Sequence, residues 1–301
     1  MTTEFSELSL HPELVQTLAD LGYESPTPIQ AALIPVMLTG QDVIGQAQTG
    51  SGKTAAFCLP ILQSLTPKHG HIQSLVLAPT RELAIQVAKA MEQYGRHLKV
   101  RVLPVYGGQA YGPQIGRLKK GVEVVVGTPG RLLDLIDRKV LDLSQVSTVV
   151  LDEADEMLSM GFIEDIEAIL DQTPAERQTA LFSATLPPRI RHLADRYLSA
   201  PEAITIKHKQ LTVDTIEQRY YLVNEVDKLA ALTRLFEVEP ITSALIFART
   251  RIGTGDLANA LTVRGFPAEA LHGDMSQEAR LRVLNRFRRN QIKVLVATDV
   301  A

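Results

Sequence analysis

Short, continuous runs of aliphatic and β-branched residues recur along the chain and predict strands that are buried on both faces. In the first part of the sequence these runs are DVIG, QSLVLA, VRVLPVY, VEVVVG, STVVLD and QTALFS. Between them lie longer segments whose apolar residues recur every three or four positions, as in TRELAIQVAKAMEQYG. In that segment Thr80 predicts a helix N-cap, and the predicted inward stripe comprises Leu83, Ala84, Val87 and Ala90. Buried strands that alternate with helices predict a parallel sheet covered by helices.

The alternating pattern breaks at the polar stretch KHKQLTVDT and then resumes. We therefore predict a first α/β domain over residues 1–206, a linker over 207–215 and a second, smaller α/β domain over 216–301. In the second domain we predict strands at QRYYLV, SALIFA, PAEAL and IKVLVA, and helices over about 227–236, around Leu257 and over about 279–288. A length of 301 residues suits two such domains, because single hydrophobic cores rarely grow this large.

Composition narrows the classes of function. The 31 basic and 34 acidic residues give a net charge of −3, which argues against a histone-like binder. A polyanionic partner must then be held by local patches and not by the field of the whole protein. No run approaches the roughly 18 apolar residues of a membrane span, and the N-terminus lacks the features of a secretion signal. We expect no membrane association, a cytoplasmic location, and a buried, apolar role for the single cysteine, Cys58.

The segment AQTGSGKT, residues 47–54, has the composition of a loop that binds phosphate. It follows a short predicted strand and precedes a predicted helix, which is the context that such a loop requires. Small residues allow the backbone amides of residues 50–54 to surround an anion at the positive end of that helix. The Lys53 ammonium would reach the β and γ phosphates, and the Thr54 hydroxyl would bind Mg²⁺. The strict pattern begins with Gly, whereas this chain has Ala47.

The segment VVLDEADEML places four carboxylates directly after a predicted buried strand. A carboxylate in that position commonly holds the metal ion that bridges the β and γ phosphates, and Asp152 fits that role. Glu153 could orient and deprotonate the water that attacks the γ phosphate. Helix capping is the alternative, because acids near a helix N-terminus gain roughly 0.3–1 kcal/mol. It could account for Asp155 or Glu156 but not for all four carboxylates.

The segment PTPIQ ends in Gln30, just before the first long predicted helix. A glutamine amide can pair with N6 and N7 of adenine, which is the geometry also used to read bases in DNA. An ordinary glutamine at the start of a helix is an equally good interpretation of this segment.

Taken together, these segments resemble the DEAD-box RNA helicases, and most of all their bacterial cold-shock and ribosome-assembly branch. The match covers nearly the whole chain in the expected order. The matching strings are GYESPTPIQ, AQTGSGKT, PTRELA, YGGQ, TPGR, DEAD, SAT, LIFART, QEAR and ATDVA. The resemblance implies two RecA-like parallel-sheet domains with helices on both faces, the second of them incomplete, and it implies ATP and Mg²⁺ as cofactors.

The resemblance also implies roles for individual residues. The catalytic set would be Lys53, Asp152, Glu153, Ser183 and Thr185, with the last two pairing with the DEAD segment, and the metal ligands would be Thr54 and Asp152. The nucleotide set would be Tyr23 (or Phe5), Gln30, Gly50, Ser51, Gly52, Lys53, Thr54 and Asp299. The RNA set would be Pro79, Thr80, Arg81, Gly107, Gly108, Thr128, Gly130 and Arg131 in the first domain, and Phe247, Thr250, Gln277, Arg280 and Thr298 in the second.

The chain has no Trp and only 5% aromatic residues, so it lacks an obvious platform for stacking several bases. We therefore expect recognition of the RNA backbone in single strands and short duplexes, with little sequence preference. Residues 277–293 carry six basic side chains against one acidic side chain. They are predicted to form either a solvated helix face or a further RNA contact.

The predicted function is ATP-dependent, local and non-processive unwinding of short RNA duplexes. An ATP-gated RNA clamp or assembly factor and a DNA-directed helicase of the wider superfamily remain alternatives. Ribosome-assembly or RNA-decay proteins are the expected partners, by analogy with the family.

The sequence departs from the family pattern at its end, where VLVATDVA stops within motif V and motif VI with its arginines is absent. A missing arginine finger costs roughly 10³–10⁵ in rate in this chemistry. We therefore expect a longer parent protein, slow ATP hydrolysis by these 301 residues, and an exposed, apolar last strand at IKVLVA.

Overall fold

The computed structural model describes residues 4–206 and 216–298. The chain folds as two compact units, unit 1 (Met1–Lys209) and unit 2 (Gln210–Ala301). The linker predicted for 207–215 lies outside the described residues, and so does Asp299. Within the described residues, no helix combines the length and the apolar character needed to cross a bilayer.

Unit 1 is built on a sheet of seven strands that are all parallel, in the order β3-β4-β2-β5-β6-β1-β7. The strands are β1 (Val43–Gln46), β2 (Ser74–Leu77), β3 (Val102–Val105), β4 (Val124–Gly127), β5 (Thr148–Leu151), β6 (Gln178–Ser183) and β7 (Glu202–Thr205). Each run of aliphatic residues that was predicted as a strand in this part of the chain contains one of these strands.

Nine α-helices connect the described strands of unit 1. They are α1 (Pro12–Asp20), α2 (Pro28–Leu38), α3 (Lys53–Ser64), α4 (Arg81–Tyr94), α5 (Tyr111–Lys119), α6 (Pro129–Asp137), α7 (Ala154–Ser159), α8 (Ile163–Leu170) and α9 (Pro188–Tyr197), with a short 3-10 helix at Phe5–Leu8.

Alternation along each strand of this sheet sends side chains into two separate cores. In β2, Val76 contributes to a core with α1 to α4, whereas Leu75 and Leu77 contribute to a core with α6 to α9. Both faces are apolar because helices cover both of them, which is why these strands are continuous hydrophobic runs. Cys58 is fully buried and unpaired in the first core, as predicted.

Helix α4 follows its sequence signals closely at its start and less closely along its length. The Thr80 hydroxyl accepts a hydrogen bond from the Leu83 amide at 3.2 Å, so Thr80 is the predicted N-cap. Ala84 and Val87 are buried as predicted, whereas Leu83 and Ala90 are only partly buried. The buried face is therefore rotated toward Ala88, Met91 and Tyr94, which belong to the same core as α1, α2 and α3.

Unit 2 has a three-stranded parallel sheet in its described residues, in the order β8-β10-β9. The strands are β8 (Ala244–Phe247), β9 (Ala268–Leu271) and β10 (Val294–Ala297), and the helices are α10 (Lys228–Val238), α11 (Arg251–Val263) and α12 (Gln277–Arg288). Val294 and Val296 pack with α10 and α11 on one face, and Leu295 packs with α12 on the other. The predicted fold class, parallel sheets with helices on both faces, is confirmed.

Two predictions for unit 2 are wrong. The segment QRYYLV forms no strand: Tyr220 and Leu222 are 86% and 92% exposed. A strand requires a neighbour that accepts its backbone hydrogen bonds, and the described residues place none beside this segment. The prediction that IKVLVA is exposed is also wrong, because β10 lies at the centre of the sheet and its four residues are buried. The edge strand β8 instead carries exposed apolar side chains, Leu245 and Phe247.

Candidate functional site

Three loops of unit 1 that carry candidate residues meet at one edge of the sheet. Strands β1, β6 and β5 are neighbours, in that order, and all run in the same direction. The loops that leave their carboxyl ends are residues 47–52, 184–187 and 152–153. Ligand crevices of parallel α/β sheets lie outside this edge. Strand order therefore assembles a site from segments that are more than a hundred positions apart in the sequence.

The loop over residues 47–52 has the shape that a phosphate cradle requires. Gly50 and Gly52 have φ of 82° and 95°, in the left-handed region that favours glycine. A Cβ on Gly52 would also lie 2.6 Å from the Gln30 side-chain nitrogen, so no larger residue fits there. Helix α3 starts directly after this loop, and its first amides lack partners within the helix. The loop therefore presents backbone donors to an anion.

Lys53 is the first residue of α3, and its side chain is folded inward. It is 6% exposed, and its Nζ donates a 2.7 Å hydrogen bond to the Ala47 carbonyl. The ammonium thus lies back across the loop that would hold the phosphates. Ser51 and Thr54 flank it and are partly exposed.

Gln30 is tied to this loop through the protein itself. It is 2% exposed, its Oε1 accepts from the Thr27 amide at 2.9 Å, and its Nε2 donates to the Gly52 carbonyl at 3.1 Å. Both ends of the amide are therefore engaged within unit 1. To pair with adenine, Gln30 would have to give up these hydrogen bonds. Because one of them is to the Gly52 carbonyl, the loss would free a backbone acceptor in the phosphate loop.

Tyr23 belongs to a small aromatic group that sequence reasoning identified only in part. Its ring stands edge-on to Phe5 and to Tyr94, with centroids 6.3 and 6.0 Å apart. Its hydroxyl shares a 2.8 Å hydrogen bond with that of Tyr94. Tyr94 is the last residue of α4, which begins beside the candidate RNA residue Thr80. No sequence pattern links Tyr23 with Tyr94, because the two are joined only by tertiary packing.

Asp152 is a buried carboxylate with unused binding capacity. It is 3% exposed, and its Oδ1 has no hydrogen-bond partner among the described residues. Burial and then the neighbouring Glu153 charge raise the pKa of Asp152 to about 7, while the Lys53 ammonium acts in the opposite direction. Lys53 and Asp152 therefore lie close enough to interact electrostatically.

Glu153 occupies an unusual backbone conformation between β5 and α7. Its φ and ψ are 53° and 52°, in the left-handed region, which is uncommon for a residue other than glycine. Burial raises the pKa of its carboxyl, and so do the charges of Asp155 and Glu156, whereas Lys53 lowers it. Such strain and such a raised pKa are typical of functional positions.

The residues after β6 bind the DEAD segment through Asp155. The Asp155 Oδ2 accepts hydrogen bonds from the Thr185 amide and hydroxyl, both at 2.8 Å. The Asp155 amide donates to the Ser183 Oγ at 3.2 Å, and that hydroxyl donates to the Thr185 carbonyl at 2.6 Å. The resemblance implied contacts of this kind. The role of Asp155 as their acceptor was missed, since helix capping also explained that acid.

The oxygen atoms at this edge suit a small, hard cation. Asp152 has a free, buried oxygen, and Thr54 carries a hydroxyl on the first turn of α3. No group of three or more acidic, histidine or cysteine side chains that could hold a metal ion occurs in the described ranges. Mg²⁺ needs no such cage, because it usually keeps several waters and binds one or two protein oxygens together with substrate phosphates.

The candidate RNA residues of unit 1 follow the next three strands of the same edge. Strands β2, β4 and β3 continue the sheet beyond β5. They are followed by Pro79, Thr80 and Arg81, by Thr128, Gly130 and Arg131, and by Gly107 and Gly108, respectively. The fold thus gathers all eight residues along one side of the nucleotide candidates.

The first two of these loops contact the third through arginine side chains. The Arg81 guanidinium lies against Gly108, where a Cβ would approach its carbon within 2.7 Å. Arg131 is only 8% exposed along its side chain, and it donates through both terminal nitrogens to the Gln109 carbonyl at 3.1 Å. In this structure, then, Arg131 holds a loop and does not present a free guanidinium to solvent.

Two residues of α5 complete that network and were not found from sequence. Gln114 is 2% exposed, donates to the Tyr106 carbonyl at 3.1 Å and accepts from Arg131 at 3.3 Å. The Tyr111 ring lies under the guanidinium groups of Arg131 and Arg138, at 4.2 and 4.4 Å. Tyr111 and Gln114 lie on α5, whereas Arg131 belongs to α6, so their contact depends on how the two helices pack and gave no signal in the sequence.

Unit 2 has its own cavity of about 670 Å³ at the carboxyl edge of its sheet. Thr250 and Thr298 line it together with Arg249, Arg251, Ile252, Gly273 and Asp274. The Thr250 hydroxyl caps α11 by accepting from the Gly253 amide, which repeats the arrangement of Thr80 on α4.

The other candidate residues of unit 2 differ widely in their exposure to solvent. Phe247 is 63% exposed at the end of β8, and Arg280 is 7% exposed on α12. Gln277 begins α12, and its side chain lies outside the described residues. On the same helix Arg286 pairs with Glu269, so the basic face of α12 is partly neutralised.

Comparison with known proteins identifies the family. The profile for DEAD/DEAH box helicases matches residues 27–193, and the profile for the helicase conserved C-terminal domain matches residues 227–301. In solved structures, Saccharomyces cerevisiae Dbp5 bound to RNA and ADP BeF3 is similar with a TM-score of 0.88 and 33% identity, over 98% of this chain and 75% of that one. A DEAD box protein from Methanococcus jannaschii has a TM-score of 0.66 and 42% identity, over 99% and 80%.

Curated relatives are named DEAD-box ATP-dependent RNA helicase CshA. The Geobacillus kaustophilus protein is 53% identical over 99% of this chain, and the Bacillus subtilis protein is 49% identical over all of it. The chain spans 64% and 61% of the length of these two relatives. The match to the first profile alone covers more than half of the residues. This chain belongs to the DEAD/DEAH box helicase family.

Proposed function

We propose that this chain is the nucleotide- and RNA-binding part of an ATP-dependent RNA helicase. One observation carries the proposal: strand order brings buried Lys53 and buried Asp152 together beside a glycine-rich loop, and an Asp152 oxygen is left free. A buried carboxylate with a pKa near 7 needs a cation to remain charged, and a buried ammonium facing a loop of amides needs an anion. Mg-ATP supplies both.

In the proposed reaction the residues of unit 1 bind, orient and move a proton. The loop of residues 50–54 and Lys53 would hold the β and γ phosphates. Glu153, whose pKa is raised by burial, would accept a proton from the attacking water. As the water oxygen bonds to the γ phosphorus, the bond to the β-γ bridging oxygen breaks, and ADP and phosphate leave. Thr54 and Asp152 would hold Mg²⁺, which when bound neutralises charge on the β and γ oxygens.

Specificity for adenine is assigned to Gln30 and Tyr23. Gln30 would pair with the base edge, and its link to Gly52 would report base binding to the phosphate loop. Tyr23 would form an apolar wall, with Phe5 behind it. Asp299 would contribute from unit 2.

The three arginine- and glycine-bearing loops of unit 1 would bind the RNA backbone, with Phe247, Thr250, Gln277, Arg280 and Thr298 contributing from unit 2. Amides at the starts of α4 and α6 and the hydroxyls of Thr80 and Thr128 suit phosphate and 2′-hydroxyl oxygens. The Ser183 hydroxyl accepts a hydrogen bond from the Asp155 amide, and the Thr185 amide donates one to the Asp155 carboxylate. These contacts offer a path by which the nucleotide state affects RNA binding. The RNA and ADP BeF3 bound by Dbp5 support this assignment.

Energies limit the unwinding to short duplexes. Melting five pairs costs on the order of 7 kcal/mol, at about 1.4 kcal/mol per step. Moving a two-state protein from 1:99 to 99:1 requires roughly 5.5 kcal/mol of differential binding. One cycle of ATP binding therefore suffices for a handful of pairs. We propose local, non-processive separation in the cytoplasm, with ribosome-assembly or RNA-decay proteins as the expected partners.

The test measures ATP turnover and strand release by the full-length protein on a short RNA duplex, with a DNA duplex of the same sequence beside it. We expect ATPase stimulation and strand release with RNA only. Binding of RNA with ATP but without strand release would indicate an ATP-gated clamp. Equal stimulation by DNA would contradict the proposed substrate class.

A further inference from the structure

The opposite edge of the unit 1 sheet carries a concentration of positive charge that the proposed reaction does not use. Three loops enter the neighbouring strands β2, β3 and β4 at their amino ends, over residues 65–73, 95–101 and 117–123. Together they contain seven Lys and Arg side chains and one acid, Glu123, whereas the whole chain has a net charge of −3. Positive charge is therefore concentrated in these three neighbouring loops, the third of which includes the last turn of α5.

The single acid holds the three loops together. Glu123 is completely buried and accepts hydrogen bonds from the Lys68 amide at 3.0 Å and from the Arg101 amide at 2.8 Å. It also forms an ion pair with the Arg101 guanidinium, which in turn donates to the Lys120 carbonyl at 2.9 Å. A rigid scaffold thus fixes the backbone from which the cations project.

Close backbone packing adds to this rigidity. A Cβ on Gly121 would lie 3.1 Å from the Gly70 carbonyl oxygen, so two of the loops touch through their glycines. Gly121 also has a φ of 80°, which favours glycine at that position. Lys68 and Lys99 have left-handed φ of 64° and 57°, and both are exposed.

Four lysines at this edge are exposed and form no ion pair within the described residues: Lys68, Lys99, Lys119 and Lys120. We call these four the amino-edge patch. The three arginines do not belong to it: Arg96 pairs with Asp20, Arg101 pairs with Glu123, and Arg117 donates to the Val102 carbonyl at 2.8 Å. The patch presents four unneutralised ammonium groups on a fixed backbone.

The composition of the surroundings indicates the kind of partner. Apolar side chains of the three loops, such as Leu65, Ile72 and Val122, are buried, and no large apolar residue there is exposed. The loops thus lack the exposed aromatic and aliphatic anchors that dominate protein interfaces and the insertion of helices into membrane surfaces. Lysines alone, as point charges on flexible stems, suit phosphate groups that are contacted without reading sequence.

We propose that the amino-edge patch binds the phosphate backbone of the folded RNA that flanks the segment being processed. This inference rests on the proposed function. The strands that separate the two edges have four residues and span about 13 Å, so an RNA that occupies the carboxyl edge must continue well beyond it to reach the patch. The patch would thus tether structured RNA and leave the reaction with a short strand unchanged.

The experiment compares two double variants with the same change of charge. Lys119→Gln with Lys120→Gln removes half of the patch, and Lys89→Gln with Arg191→Gln removes two exposed cations on α4 and α9, outside the three loops. Binding of two RNAs is measured over a range of salt concentrations. One is a single strand of about 8 nucleotides, and the other is the same strand extended by a hairpin of about 16 base pairs. Melting temperatures check that both variants fold.

We expect only the patch variant, and only with the hairpin RNA, to change. Each lost phosphate contact lowers the slope of log affinity against log salt by about 0.7–0.9, so two contacts lower it by about 1.4–1.8. An unchanged slope in the patch variant, or an equal change in both variants, would overturn the proposal. If the unaltered chain binds neither RNA, the proposed function itself fails. If the unaltered chain binds both RNAs and the patch variant binds them equally well, only the inference about the patch fails.

Discussion

The two edges of the unit 1 sheet treat a buried carboxylate in opposite ways. At the amino edge, burial of Glu123 favours its neutral form, but hydrogen bonds from Arg101 and Lys68 outweigh burial and leave its pKa below the ordinary value. At the carboxyl edge, burial and the Glu153 charge raise the pKa of Asp152 to about 7, and one of its oxygens has no partner. Glu123 is thus neutralised by groups of the protein, whereas Asp152 keeps an oxygen that only a ligand can bind.

The first carboxylate has a structural role, and the second has the properties of a binding residue, although both lie next to strands of one sheet. A buried acid that the protein neutralises stabilises the fold, whereas one that it leaves free costs stability until a cation arrives. The carboxyl edge also contains the left-handed Glu153 and the left-handed Gly52. Left-handed residues also occur at the amino edge, at Lys68, Lys99 and Gly121. The two buried carboxylates therefore differ in the unpartnered oxygen of Asp152, and not in the backbone strain around them.

The largest expected effect is on turnover, at the carboxyl edge. Glu153→Gln should lower RNA-stimulated ATP hydrolysis by about 10²–10⁴-fold, because the amide cannot accept the proton of water. ADP and RNA binding should persist. Glu156→Gln is the matched control, since that acid has the same charge but is exposed on the next turn of the chain. Steady-state phosphate release measures both variants, and unchanged turnover in Glu153→Gln would remove the assigned role.

The next largest effect concerns stability. In the absence of Mg²⁺ and nucleotide, Asp152→Asn should raise the free energy of unfolding. A carboxyl whose folded pKa is raised from 3.8 to about 7 contributes its full stability at low pH and loses it as pH rises through 7. The variant has no such loss and should be more stable than the parent by on the order of 2–4 kcal/mol above pH 7. Denaturant unfolding at pH 5 and pH 8 tests this. A variant that is less stable at pH 8 would contradict it.

Glu123→Gln, in contrast, should lower the free energy of unfolding. The depressed pKa of Glu123 means that its contribution is present at neutral pH and is lost as pH falls below the ordinary range of a glutamate. The variant leaves Arg101 without its partner, and unfolding should become easier by about 1–3 kcal/mol at pH 7. The difference should shrink in acid. Unfolding curves of both proteins at pH 7 and at about pH 2.5, well below the 4.5 of an ordinary glutamate, provide the measurement, and a constant difference would argue against the ion pair.

The smallest expected effect concerns the helix caps shared by both units. Thr80 and Thr250 each follow a strand and accept a hydrogen bond from the amide three residues later. Thr80→Ala should cost about 1 kcal/mol of stability in unit 1, and it should also weaken RNA binding if Thr80 contacts the backbone. Thr80→Ser keeps the hydroxyl and should restore both properties. Loss of RNA affinity in the serine variant would mean that the methyl group matters.

Much of unit 1 could be predicted because its signals are local. Strands buried on both faces are continuous apolar runs, and Thr80 caps α4 through an amide only three residues away. Unit 2 shows the limit of such signals. QRYYLV has the composition of a strand, yet it is exposed and unpaired, because a strand depends on a neighbour and not on its own residues.

The candidate site could be predicted as a set of residues but not as an arrangement. Lys53, Asp152 and Gln30 were each identified by the segment that contains them. That both ends of the Gln30 amide are already engaged could not be foreseen, since Gly52 comes within its reach only when α2 packs on the phosphate loop. Arg131 was assigned to RNA, and in the structure it is held by Gln109 and Gln114.

The sequence by itself determined the chemistry of this protein: which glycines can turn, which lysine can meet a phosphate, and which carboxylate ends a buried strand. Those properties reside in single residues and their immediate neighbours. Only the tertiary structure decided that β6 lies between β1 and β5, that Asp155 serves Ser183 and Thr185, and that three separate loops collect lysines around one buried glutamate. Such proximity arises from the pairing order of strands, which minimises exposed apolar surface over the whole sheet and leaves no trace in any short segment.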